Sequence, residues 1–299
     1  MTRRFLRRRW RLLMLFIVLS LGLSICVSWS IGAISATALV YAPCNNNGMS
    51  LDDTYEWESF TLSARDGGRF RGYFIHGTNG ATVIFPPNFT AGRNSRLFEA
   101  LPFVDAGYNV VVYESRRCAN MGPLSLGYEE VSEVADVLDY LALRGDVDMA
   151  HIGVHGFSSA GATAIMAAAQ YPQIKAVVAV GNYADMNAIL DADVEGVRHF
   201  FYMLYQHGFR FTYQLWVGNS LDTLKPIEVI DQIYPRPILL IYGSEEPGAL
   251  TSEALMMRAD ENATLWILEG EGHGSYRRRT DYSQRTIAFF DQHLLDTLR

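Results

Sequence analysis

His151-Ile-Gly-Val-His-Gly-Phe-Ser-Ser-Ala-Gly161 is the stretch on which the reading of this chain turns. Ile152 to His155 is a short apolar run of strand character, and the Ala-rich stretch from Gly161 to Gln170 has helix character. Between them, Gly156-Phe157-Ser158-Ser159-Ala160 fits the pattern G-x-S-x-[GA], in which small residues on either side of a serine let strand and helix pack closely around a tight turn. Such a turn holds the serine hydroxyl out at the C-terminal edge of a sheet. Five-residue matches arise by chance, and a Ser-Ser-Ala-Gly run also reads as a loop or a helix N-cap. The strand before it and the helix after it are the context the motif requires.

Outward from this stretch the chain alternates. Trp57 to Ala64 and Arg69 to His76 flank the turn signal Asp66-Gly67-Gly68 and predict a β-hairpin. Strands follow at Ala81–Phe85, Asn109–Glu114, His151–His155, Ile174–Gly181, Pro237–Tyr242 and Thr264–Leu268. Helices fall at Ser95–Ala106, Tyr128–Leu143, Ser159–Tyr171, Thr251–Ala259 and Tyr282–Leu298. Continuously apolar strands such as Lys175-Ala-Val-Val-Ala-Val180 suit positions covered on both faces, and β-α alternation implies a mostly parallel sheet between helical layers.

A serine is a weak nucleophile until a positioned base takes its proton, so the turn calls for a histidine after a late strand and an acid to orient it. Glu271-Gly272-His273-Gly274 follows the last strand, and Gly243-Ser244-Glu245-Glu246-Pro247 follows the one before. The order Ser158, Glu246, His273 is that of α/β-hydrolases, with Glu245 the alternative acid. A histidine in a Gly-rich loop is also an ordinary turn residue, and two glutamates after a strand are also an ordinary solvated loop. Of the other histidines, His155 reads as structural, within the elbow strand.

The chain resembles the α/β-hydrolase superfamily, and within it the serine-aminopeptidase-like and lysophospholipase-like bacterial members. Ala81-Thr-Val-Ile-Phe-Pro-Pro-Asn88, Tyr108-Asn-Val-Val-Val-Tyr-Glu114, the elbow, and Pro226–Glu246 with Gly272-His273-Gly274 carry the likeness, over residues 56–299. It implies an α/β-hydrolase fold with a mostly parallel eight-stranded sheet flanked by helices, a covalent acyl-enzyme, no cofactor and no metal. Such hydrolases have His-Gly after the third strand, where this chain has Pro86-Pro87. Proline has no N–H to give to an oxyanion, so Asn88 or Phe89 must supply one donor, with Ser159 as the second. Glutamate in place of the commoner aspartate is the other departure.

Residues 1–42 read as an Arg-rich cytoplasmic tail and a transmembrane signal anchor. Arg3, Arg4, Arg7, Arg8, Arg9 and Arg11 precede an uncharged stretch from Leu12 to Ala42, long enough to cross a bilayer, and the positive-inside rule puts the rest of the chain outside. The competing reading is a signal peptide cleaved at Ala36-Thr37-Ala38, releasing a secreted form. Residues 43–55 read as a polar linker, and 56–299 as the hydrolase domain. Within it, about 183–224 is rich in aromatics (Phe200, Phe201, Tyr202, Tyr205, Phe209, Phe211) and reads as a helical cap, as ordinary core, or as a face lying on the membrane. Without the six tail arginines the formal charge moves from −7 to −13, which argues against nucleic acid as a partner. The three cysteines make no disulfide framework: Cys26 lies in the apolar segment, and Cys44 with Cys118 is a pair that spacing alone allows but does not support.

The expectation is a membrane-anchored serine hydrolase cleaving small-molecule or lipid-like carboxylic esters. A peptidase or amidase with the same three residues, and a non-catalytic binding protein of the same fold, are the alternatives.

Overall fold

The computed structural model describes residues 2–190 and 196–295, with side chains from residue 8 onward. The parts of the expected cap at 191–195 and of the expected last helix beyond 295 lie outside the described residues. The chain divides into two units, Met1–Val40 with Leu190–Leu221, and Tyr41–Ile189 with Asp222–Arg299.

The larger unit is an eight-stranded sheet in the order β1-β2-β4-β3-β5-β6-β7-β8. Its strands are β1 (Trp57–Ser63), β2 (Arg69–Ile75), β3 (Thr82–Phe85), β4 (Asn109–Tyr113), β5 (Ile152–Phe157), β6 (Ile174–Val180), β7 (Ile238–Gly243) and β8 (Ala263–Leu268). β2 pairs antiparallel with β1 and β4, and the remaining pairs are parallel. The apolar runs behave as their composition demands: every residue of β3, β4, β5 and β7 is buried.

The helices, in chain order, are α1 (Thr2–Val40), α2 (Leu97–Asp105), α3 (Tyr128–Ala142), α4 (Ser159–Gln170), α5 (Met186–Leu190), α6 (Val197–Val217), α7 (Pro226–Val229), α8 (Ser252–Ala259) and α9 (Thr280–Phe290). α3, α4 and α8 pack on one face of the sheet, where Val134, Ala164 and Leu255 meet Ile84, Val154 and Leu240. On the other face α2 and α9 bring Leu97, Phe103 and Phe290 against Val83, Val110 and Val178. Neighbouring residues of one strand thus point into different cores, as the two-residue period requires.

The 43–55 stretch, expected as a linker, is fastened to this unit. Cys44 is disulfide-bonded to Cys118, Asn45 N–H donates to Thr90 carbonyl at 2.8 Å, and Gly92 N–H returns to Asn45 carbonyl at 2.8 Å. Asn45 has the backbone groups of a strand but a partner only one residue long, which is why polarity and missing periodicity read as loop.

The smaller unit is two helices. α1 carries an uncharged, exposed apolar span, and its C-terminal part packs along α6. Two glycines set the approach: a Cβ on Gly32 would lie 1.9 Å from the Tyr205 carbonyl oxygen, and one on Gly208 would lie 2.1 Å from that of Trp29. Across this contact Trp29 Nε1–H donates to His207 Nδ1, and Trp216 Nε1–H donates to Thr37 Oγ1, each at 3.0 Å. The pairs 29 with 207 and 37 with 216 ascend together, so the helices run parallel. Residues 190–221, the centre of the expected cap, therefore group with the apolar N-terminal helix.

Candidate active site

Ser158 sits between β5 and α4 with φ 58° and ψ −125°, a conformation that a non-glycine residue adopts only when its surroundings hold it there. The small neighbours make the turn sterically feasible: a Cβ on Gly156 would lie 2.0 Å from the Ala160 carbonyl oxygen. Ser158 N–H donates to Val180 carbonyl on β6 at 2.7 Å, and its own carbonyl accepts the Gly161 N–H at 2.9 Å, starting the helix.

His273 lies on the loop after β8, where Gly274 at φ 73° turns the chain. Its ring packs on Phe157, centroids 4.8 Å apart. Ser158 Oγ lies 3.1 Å from His273 Nε2, the distance of a hydrogen bond in which the hydroxyl donates. The other ring nitrogen, Nδ1, bonds to Glu246 Oε2.

Glu246 comes from the loop after β7 and its side chain has no solvent exposure, whereas that of His273 is 45% exposed. Its Oε1 accepts the Gly243 N–H at 2.6 Å and the Tyr276 O–H at 3.0 Å. Burial raises the Tyr276 pKa and the Glu246 charge raises it further, so this phenol stays a donor. Gly181, at φ 57°, opens the space beside the pair: a Cβ there would lie 2.8 Å from Glu246 Oε2. Glu245 is exposed, and its N–H donates to Glu271 carbonyl. The structure thus brings Ser158, His273 and Glu246 into one hydrogen-bonded line and leaves Glu245 out of it.

Of the three expected oxyanion donors, two remain available. The N–H groups of Asn88 and Ser159 have no protein acceptor among the described residues, whereas Phe89, at φ 42°, donates its N–H to Ser159 Oγ at 3.1 Å. On the far side of this loop the Pro86 carbonyl accepts from Arg96 Nη1 at 3.0 Å.

Arg96 opens a buried polar cluster that the sequence did not reveal. It pairs with Glu99 at 2.8 Å, Glu99 also pairs with Arg277 at 3.0 Å, and Tyr282 O–H lies 3.1 Å from His155 Nε2. Burial alone would raise the Glu99 carboxyl, but the Arg96 and Arg277 guanidiniums outweigh it and hold the pKa below its ordinary value. Arg277 also lies 3.5 Å over the Phe157 ring, so one cation links the cluster to the elbow and the histidine loop. Apart from His155 on β5, these residues sit in helices and turns. Only the spacing of Tyr276 and Arg277 just past His273 offered a signal.

Chemically, the line can move a proton from the serine to the imidazole while the buried carboxylate fixes the ring and supports its charge. The two free N–H groups can receive a developing oxyanion.

Residues 96–297 match the model of the prolyl oligopeptidase family. No curated protein matches the chain. Among solved structures, the chain is similar to the esterase Pf2001 of Pyrococcus furiosus, at 14% identity and TM-score 0.64 over 85% of this chain and all (100%) of that one. It is similar to the α/β-hydrolase GrgF from Penicillium sp. sh18 at 16% identity and TM-score 0.60, over 80% of this chain and 99% of that one. A puromycin-hydrolysing peptidase of Mycobacterium tuberculosis matches at 20% identity and TM-score 0.62, over 80% of this chain and 39% of that one.

Proposed function

This chain belongs to the prolyl oligopeptidase family, and we propose that it is a membrane-anchored serine hydrolase that cleaves carboxylic esters outside the cytoplasm. The observation that carries the reading is the hydrogen-bonded line from Glu246 through His273 to Ser158. His273 Nε2 takes the Ser158 proton as Oγ attacks the ester carbonyl carbon. The tetrahedral oxyanion is held by the N–H groups of Asn88 and Ser159. As the C–O bond to the leaving alcohol breaks, His273 returns the proton to that oxygen. Water, deprotonated in turn by His273, then attacks the acyl-enzyme, releasing the acid and restoring Ser158.

Two prolines remove loop donors, and an ester asks less of the remaining hole than an amide does, because its carbonyl is more electrophilic and its alkoxide a better leaving group. The second reading, a peptidase using the same residues, is favoured by the family match itself and by the puromycin-hydrolysing neighbour.

The anchor reading is supported by α1, whose apolar span follows the cationic tail. The Cys44–Cys118 disulfide supports an oxidising compartment for the larger unit. Retention of α1 is supported by its contact with α6, since cleavage at Ala36–Ala38 would strip Trp29 and Gly32 from their partners.

The test is labelling of the full-length protein in detergent with a fluorophosphonate, beside Ser158→Ala and His273→Ala, followed by matched ester and amide substrates. Labelling lost in both variants with esters turned over faster than amides is the expected result. Faster amide turnover would move the assignment to the peptidase, and no labelling of a folded wild type would move it to a binding protein.

A further inference from the structure

Helix α6 carries a second apolar face that its partner α1 leaves exposed. Phe200, Met203, Phe211 and Leu215 recur at helical spacing and are 45%, 49%, 52% and 65% exposed, while Gly208, Phe209 and Thr212 are buried. Four large apolar side chains in one exposed stripe are an interaction surface and not the scatter of single residues that ordinary surfaces show.

The parallel register with α1 says what meets this stripe, given the reading of α1 as a membrane anchor, on which this inference rests. A hydrocarbon core about 30 Å thick takes roughly 20 helical residues at about 1.5 Å each. Counted from Leu12, the first uncharged residue after the arginines, that length ends at Ile31. Ser28 and Ile31 line a groove of about 420 Å³ together with Arg198, Phe201, Tyr202 and Tyr205, and with Trp29 beside His207 the first turns of α6 stand within the outer half of the hydrocarbon. Trp216 lies beside Thr37, which is six residues beyond Ile31 and so about 9 Å further out at about 1.5 Å per residue, in the headgroup layer. Aromatic residues favour this boundary, where a ring rests on hydrocarbon and a polar edge reaches water.

We propose that α6 is a lipid-facing helix that stands in the outer leaflet beside the anchor. Its N-terminal turns stand in the hydrocarbon, its C-terminal turns lie among headgroups, and the groove between α1 and α6 seats lipid acyl chain. The occupant is lipid because the stripe continues an apolar surface that already runs along α1, where Val27, Ile31 and Ile34 are exposed.

The test places a nitroxide at Phe200→Cys or Leu215→Cys in the full-length protein reconstituted into phosphatidylcholine–phosphatidylglycerol nanodiscs. Cys26→Ser removes the free thiol, and the Cys44–Cys118 disulfide stays oxidised. Leu19→Cys reports the anchor and Leu143→Cys, on an 89% exposed residue of the larger unit, reports water. The expected ratio of oxygen to nickel-chelate accessibility falls in the order 19, 200, 215, 143. If 200 and 215 match 143 while 19 reads hydrocarbon, the anchor stands and the lipid-facing helix is wrong. If 19 itself reads water, the anchor reading fails and this inference with it. Dipolar broadening between chains at 200 would assign the stripe to a second copy and overturn the lipid assignment.

Discussion

Acidification tests the buried histidine behind the serine. His155 has no solvent exposure, stacks on Phe85 with centroids 4.8 Å apart, and bonds to Arg96 at 3.3 Å and Tyr282 at 3.1 Å. Burial, the largest cause, pushes its pKa down to about 3, with Glu99 opposing and Arg96 adding to the shift. In the unfolded chain an ordinary histidine takes its proton near pH ~6.5. Between these values the unfolded state holds more protons than the native state, so stability rises with pH across the window and is lost as pH falls from about 6.5 toward 3. Each pH unit is worth about 1.4 kcal/mol, so going from about 6.5 down to about 5 removes about 2 kcal/mol through this one ring. Urea unfolding of the full-length protein in detergent, at several pH values between about 7 and 5, measures it against His155→Asn, which does not titrate. The variant is expected to lose less stability over that interval, whatever its stability at neutral pH. Equal slopes in the two proteins would refute the reasoning.

Ser158→Ala and His273→Ala are each expected to lower ester turnover by about 10³-fold or more without changing the circular dichroism spectrum, and the double variant by little beyond either single one. Gly181→Ala places a methyl group against the Glu246–His273 pair, so turnover should fall at least tenfold (about 1.4 kcal/mol of barrier), more than KM changes, in steady-state kinetics. Replacing Cys44 and Cys118 together by alanine opens a loop with a sequence separation of 74 residues. It should cost about 2–4 kcal/mol of stability in denaturant titrations, and reductant should then no longer destabilise the protein. Shortening Glu246 to aspartate withdraws the carboxylate by about 1.5 Å, the length of one C–C bond, so it cannot keep both the His273 and the Gly243 and Tyr276 bonds. Turnover by Glu246→Asp should fall while its fluorophosphonate labelling persists at a reduced rate.

The strands were legible because burial on both faces leaves a local mark: β3 to β7 are short, mostly apolar runs. That Ser158, Glu246 and His273 meet was legible because each stands on a loop after a strand, β5, β7 and β8 in turn. What was not legible depends on pairs distant in sequence. Nothing near Gly32 announces Tyr205, so the aromatics of α6 read equally well as cap, core or membrane face until the two helices were seen together. The Arg96–Glu99 pair was hidden for a different reason. Spaced i to i+3 on a helix, it has the pattern of a solvated ion pair, and only the packing of α9 over it makes it an interior one. The use of the Phe89 N–H by Ser159 Oγ is beyond any pattern, since it hangs on the positive φ of Phe89.

That last bond changes the meaning of the two prolines. Pro86 is tied by its carbonyl to Arg96, and Phe89 is tied by its N–H to Ser159, so Asn88 is strung between two fixed points on a backbone whose φ is locked at Pro86 and Pro87. A glycine loop would have to be ordered each time a carbonyl arrived. Here the ordering is complete before any substrate binds, and the chain entropy that flexible loops surrender during turnover was surrendered once, at folding. In the proposed hydrolase, the two loop donors lost to Pro86 and Pro87 are matched by preorganisation of the Asn88 N–H, the one that this loop still offers.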